Sequence, residues 1–130
     1  MKKITLLFVA LFSTILSYAQ QGHEKHMIDS IEVSPKLLKK IKKGKVILVD
    51  VRTPEEYKAG HLKYSQNIDY KKEDFKAQIE KLDKKKPVYL YCRTGNRSGK
   101  SVDVLKGAGF TNVYNIGGFE NLKAAGLPAE

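Results

Sequence analysis

Across Cys92 the sequence changes its period. Val88-Tyr89-Leu90-Tyr91 is a short β-branched and aromatic run of the kind that fills a sheet interior, entered through a polar turn at Lys84 to Pro87. Arg93 to Arg97 then has no apolar residue, whereas Ser98, Ser101, Val102, Leu105 and Ala108 recur at helical spacing. A buried strand feeding a helix through a tight polar loop is the building unit of an α/β fold, and here it puts the only cysteine of the chain at the strand's end. Gly95 and Asn96 most easily take left-handed backbone angles, so the loop is expected to curl. A curled loop aims successive backbone N–H groups inward, and the positive end of the following helix reinforces the concave anion site that results. These N–H groups, the helix end, Arg93 and Arg97 all favour thiolate over thiol, lowering a cysteine from its ordinary pKa of about 8.5. The expected place of the sulfur is the mouth of that site.

A second segment has the same logic. Val46 to Val51 is almost continuously apolar, as in a parallel strand covered on both faces. It runs into Asp50-Val51-Arg52-Thr53-Pro54-Glu55-Glu56-Tyr57 and then Gly60-His61-Leu62. Thr53 suits an N-cap, Pro54 the first helical position and Glu56 the third, which predicts a helix start. Asp50 and Arg52 fall at a strand's carboxyl end, where open α/β sheets bind ligands, but their expected task is structural, with Arg52 paired to Glu55 or Glu56. Upstream, Ile31 to Val33 suggests an edge strand, and Ser34-Pro35 opens a helix with Leu37, Leu38 and Ile41 buried and Gly44 as its stop. Phe75, Ile79 and Leu82 predict a helix over 74–82. The helix after Cys92 is expected from Ser98 to Gly107 or Gly109, the last strand spans 112–116, and Gly117-Gly118-Phe119 turns the chain back toward the cysteine.

At the other end, Lys2 and Lys3, the apolar run from Ile4 to Leu16 and the small residues Ser17 and Ala19 read as a cleavable signal peptide over 1–19. The run is shorter than the roughly 20 apolar residues of a spanning helix, so no membrane span is expected in the mature chain. Export to the periplasm or the medium is the resulting expectation, with 20–30 a flexible lead-in and 31–130 a single domain. One cysteine makes no internal disulfide, which in an exported protein fits a thiol kept for chemistry. The net charge of +10 comes mostly from lysines scattered as Lys39-Lys40, Lys42-Lys43, Lys71-Lys72 and Lys84-Lys85-Lys86, which read as solvated faces. No nucleic-acid motif accompanies them, though a positive field gathers small anions. His23 and His26 lack a third ligand nearby, so no metal site is expected.

Cys92-Arg93-Thr94-Gly95-Asn96-Arg97-Ser98 after an apolar strand resembles the active-site loop of the rhodanese (sulfurtransferase) family. The stretch from Asp50-Val51-Arg52 to Gly60-His61 is similar to a second hallmark of that family, and Gly117-Gly118 through Gly126-Leu127-Pro128 to its carboxyl-terminal helix and stop. The resemblance implies a rhodanese-like α/β domain with a central, mostly parallel sheet of five strands and helices on both faces. It implies a catalytic Cys92 that carries a persulfide, a substrate-binding loop of Arg93, Thr94, Gly95, Asn96, Arg97 and Ser98, and supporting roles for Asp50, Arg52 and His61. The donor would be a small sulfur anion such as thiosulfate and the acceptor cyanide or a thiol, without metal or organic cofactor. Lys63 to Gln66 departs from the family's usual Pro-Gly-Ala turn, and Leu122 stands where many members have tryptophan. Three other readings stay open. Cys-x5-Arg phosphatases and arsenate reductases share the fold, but Cys92 to Arg97 is Cys-x4-Arg, a loop one residue shorter. A non-catalytic persulfide carrier or binding module would keep the cysteine as a passive relay. His61 invites a general-base role toward Cys92, although a sulfur already held as thiolate needs none.

Overall fold

The computed structural model describes residues 33–130. The expected signal peptide, the lead-in and all but Val33 of the expected edge strand lie outside them. The described elements alternate as the sequence predicts: α1 (Pro35–Lys42), β1 (Ile47–Asp50), α2 (Pro54–Ala59), β2 (Gln66–Asn67), α3 (Phe75–Ile79), β3 (Val88–Cys92), α4 (Asn96–Gly107), β4 (Val113–Gly118) and α5 (Phe119–Ala124). The strands form one sheet in the order β2-β1-β3-β4, and every pairing within it is parallel. Val33 is not in a strand.

All five residues of β3 are buried, and its alternation sorts the core into two layers. Val88, Leu90 and Cys92 pack with Val49, Val51, Phe75, Ile79, Leu105 and Val113 on the face covered by α3 and α4. Tyr89 and Tyr91 pack with Leu37, Ile41, Leu48, Phe119 and Leu122 on the face covered by α1 and α5. Leu122 is thus an interior residue of that second layer. The helix starts obey local chemistry: Ser34 Oγ accepts the Leu37 N–H at 3.2 Å and Thr53 Oγ1 accepts the Glu56 N–H at 3.3 Å, each with proline just inside the helix. The lysine runs are exposed, and among the described residues no helix is long and apolar enough to cross a membrane.

Some boundaries differ. The third helix is shorter than expected, ending at Ile79, and α4 begins two residues before Ser98. β4 extends to Gly118 and passes directly into α5, so Gly117 and Gly118 close a strand rather than form a free turn. The departure at Lys63 to Gln66 is a turn closed by Ser65 N–H on the Leu62 carbonyl at 3.0 Å, with Tyr64 at φ +71.

Arg52 does not pair with Glu55 or Glu56. Its guanidinium grips Asp50, Nε at 3.0 Å from both carboxylate oxygens and Nη2 at 2.7 Å from Oδ2, and Nη2 also donates to the Gly60 carbonyl at 2.7 Å. Two residues apart on an extended strand end, these side chains share a face, which brings Asp50 closer than the helix carboxylates. The pair is sealed, with Asp50 0% and Arg52 5% exposed. Removing one partner strands the other charge in the interior. Arg52→Ala is therefore expected to cost about 3–5 kcal/mol in urea denaturation, while Arg93→Ala at the exposed loop leaves the midpoint nearly unchanged.

Candidate active site

In a sheet ordered β2-β1-β3-β4, the chain leaving β1 turns to one side and the chain leaving β3 to the other. The crevice between those two strand ends is the place where such sheets bind ligands. Cys92 ends β3 and Asp50 ends β1 beside it. Beyond Cys92 the loop needs one left-handed residue to reverse into α4, and Gly95 supplies it at φ +93. Asn96, expected to share that task, is already the first residue of α4. The loop also lies hard against β4: a Cβ at Gly118 would sit 2.6 Å from the Arg93 carbonyl oxygen, so glycine alone permits this approach.

Cys92 is 1% exposed, which puts the sulfur in the floor of the cradle rather than at its mouth. The Gly95 N–H donates to Sγ at 3.0 Å, and the Ser98 hydroxyl lies 3.4 Å away. Burial pushes the thiol pKa up. The Ser98 hydroxyl and the backbone N–H groups of Ser98, Thr94 and Gly95 outweigh it, and the net shift is downward. The arrangement thus favours the thiolate, the nucleophilic form of the sulfur, relative to a free cysteine.

The two arginines divide. Arg93 is exposed and has no ion pair among the described residues, as befits a cation open to an incoming anion. Arg97, expected to hold substrate, forms a fork-to-fork pair with Glu56, Nη1 to Oε1 at 2.7 Å and Nη2 to Oε2 at 2.9 Å. The pair spans the crevice from α2 to α4. Thr94 and Asn96 are exposed, and Ser98 is buried. His61 sits in the carboxyl-terminal latch: its ring stacks on Tyr57 at 3.7 Å, Nδ1 lies 2.9 Å from the Tyr57 carbonyl, Nε2 faces Glu130 at 3.5 Å, and its backbone exchanges hydrogen bonds with Glu130. With both ring nitrogens so engaged, His61 has the contacts of a scaffold residue.

Two residues outside the expected set belong to the site. Glu56 was legible as a helix-cap carboxylate and as a partner offered to Arg52, but not as the partner of Arg97. Asn115 on β4 bonds both Ser98 and Gly95, and its signal is a polar residue two positions from Val113, on the strand face that Val113 buries in the first core layer. Among the described residues no cluster of His, Cys, Asp or Glu could hold a metal ion.

The Arg97 guanidinium holds Glu56 down at about 2, against an ordinary value of 4.5. A carboxylate depressed in the folded state stabilises the protein fully above its unfolded pKa and loses that contribution as pH falls through the folded one. Urea midpoints of the wild type and Glu56→Gln should thus differ most above about pH 4.5 and converge as pH falls toward 2. A constant difference over that window would show that the pair does not carry the charge linkage.

Comparison with known proteins agrees with this architecture. The sequence model of the "Rhodanese-like domain" family matches residues 34–125. The thiosulfate sulfurtransferase GlpE of Ectopseudomonas mendocina is 33% identical over 75% of this chain and 88% of its own length, and the thiosulfate sulfurtransferase PspE of Escherichia coli 34% identical over 57% and 71%. The uncharacterized protein YqhL of Bacillus subtilis is 39% identical over 58% of this chain, a match that spans only 60% of that relative. Among solved structures, the Alr3790 protein from Anabaena sp. superposes with a TM-score of 0.64 at 27% identity, covering 73% of this chain and 87% of that one. An E. coli rhodanese with anions superposes at 0.53 and 34% identity, covering 65% and 95%. With the matched family model spanning both strand ends and the whole cysteine cradle, the chain belongs to the rhodanese-like domain family.

Proposed function

We propose that the protein is an exported sulfurtransferase that relays sulfane sulfur through Cys92. The observation that carries this reading is the recessed sulfur of Cys92, with the Gly95 N–H at 3.0 Å and the Ser98 hydroxyl at 3.4 Å. Relatives named thiosulfate sulfurtransferases, at 33–34% identity, support the donor class.

In the first half-reaction the Cys92 thiolate attacks the outer sulfur of thiosulfate. An Sγ–S bond forms, the S–S bond of the donor breaks, and sulfite leaves with its electron pair. Arg93 and the guanidinium N–H groups of Arg97 not taken by Glu56 steady the departing dianion. The outer sulfur of the persulfide inherits the negative charge and the inward N–H donors. In the second half-reaction cyanide or a thiolate attacks that sulfur, and Cys92 leaves as thiolate, a good leaving group for the same electrostatic reason that made it a nucleophile. No proton moves in either half, which is why His61 has no task here. A phosphatase reading fits less well, because the loop from Cys92 to Arg97 is Cys-x4-Arg, one residue shorter than the Cys-x5-Arg loop around a tetrahedral oxyanion. The leader-like residues 1–19 support export, to the periplasm or the medium.

Intact mass of the purified protein, before and after thiosulfate and then cyanide, tests the reading. A gain of one sulfur, about 32 Da, should appear, map to Cys92, vanish with cyanide and be absent in Cys92→Ser. The starting mass of the exported form should correspond to a chain beginning at Gln20. A reduced thiol that gains nothing from thiosulfate or any other sulfane donor would overturn the sulfur-transfer reading.

A further inference from the structure

The Ser98 hydroxyl has one proton and two acceptors within reach. Asn115 Oδ1 lies at 2.7 Å and Cys92 Sγ at 3.4 Å. The Asn115 amide cannot turn over cheaply: its oxygen also accepts the Gly117 N–H at 3.1 Å, and its nitrogen donates to the Gly95 carbonyl at 2.9 Å. One glycine makes room for it: a Cβ on Gly99 would come within 3.3 Å of Asn115 Nδ2, and Gly117, two residues on, keeps φ +102. The pairing of β3 with β4 is irregular at this point, Leu90 facing Asn115 and Tyr91 facing Gly117. Such an irregularity re-aims a side chain at a strand end.

The geometry points to Asn115 as a positioning residue that sets which way the Ser98 hydroxyl faces and holds Gly95 so that its N–H stays on Cys92. While the sulfur is a neutral thiol, Ser98 gives its proton to Asn115 Oδ1, and the Ser98 oxygen is left to accept the S–H of Cys92. When the thiol proton departs to solvent, or the sulfur becomes a persulfide anion, the hydroxyl turns its proton to sulfur. A carboxamide suits this exchange because it is neutral, so an anionic sulfur outcompetes it. A carboxylate in its place would keep the proton and repel the thiolate. The inference deepens the sulfur-transfer reading, yet a thiol titration requires no sulfur donor, so the two stand or fall on separate measurements.

The test is the pH profile of Cys92 alkylation by iodoacetamide in the wild type, Asn115→Asp, Ser98→Ala and the double variant. The midpoint in Asn115→Asp should rise by about one pH unit or more, and the same substitution should shift it clearly less in the Ser98→Ala background, where only direct charge repulsion remains. Equal shifts in the two backgrounds, or none in either, would overturn the proposal, since a merely structural role moves the melting temperature and not this midpoint. Should Asn115→Asp fail to fold, the infrared S–H stretch at acid pH decides with folded protein, and with one cysteine in the chain its assignment is unambiguous. The band should lie at a hydrogen-bonded frequency in the wild type and move to that of a free S–H in Ser98→Ala. An unmoved band overturns the proposal.

Discussion

A fully buried ion pair holds the ends of this sheet together. Charges such as Asp50 and Arg52 lose several kcal/mol each on leaving water, a loss that only close geometry and complete hydrogen bonding offset. Both conditions are met. The carboxylate receives Nε, Nη2 and the Arg52 backbone N–H, and no buried side-chain polar atom among the described residues lacks a partner. The pair thereby fixes a junction of four elements. Arg52 reaches the Gly60 carbonyl at the end of α2 and lies 4.3 Å above the Phe119 ring at the start of α5. Asn67 at the end of β2 donates to the carbonyls of both Asp50 and Arg52. Because the pair sits at the carboxyl end of β1, the rigidity it confers is delivered beside Cys92.

That rigidity matters because the chemistry of the cradle is a contest between burial and dipoles. A cysteine with so little exposure would, in an apolar pocket, be a poor nucleophile. Here the same burial removes water that would otherwise compete for the N–H groups, and the donors of the loop outweigh the burial and lower the thiol pKa. The lowering persists only while the donors keep their aim. The loop is therefore fastened on three sides: to α2 through Arg97 and Glu56, to the side chain of Asn115, and to Gly118, where bare backbone meets the Arg93 carbonyl.

These fastenings explain what was legible in the residues and what was not. Helix starts at Ser34 and Thr53, the buried runs of β1 and β3 and the polar loop after Cys92 are local patterns, and each lies within a few residues of Gly95, Gly44 or a proline that punctuates it. Partner choice is not local. Arg52 had three carboxylates within four residues in sequence, and the extended backbone of the strand end, not proximity along the chain, selected Asp50. Arg97 and Glu56 are 41 residues apart and meet only because β1 and β3 are neighbours. Asn115 reads as an ordinary strand residue until the register of β4 against β3 is known. The start of α4 at Asn96 follows directly on the left-handed Gly95, two residues ahead of the helical spacing that opens at Ser98.

The division between the arginines has its origin in the same geometry. A fully solvated pair of cations beside an anionic sulfur would raise affinity for any anion and leave neither guanidinium with a defined position. Tying Arg97 to Glu56 cancels one charge locally while keeping its field near the sulfur, where the thiolate in turn favours the charged guanidinium. Arg93 stays exposed at the rim, without an ion pair among the described residues. In the proposed sulfur transfer it would draw a small anion with one mobile charge while fixed dipoles hold the recessed sulfur, so that attraction would weaken in salt while the stabilisation of a recessed anion hardly would.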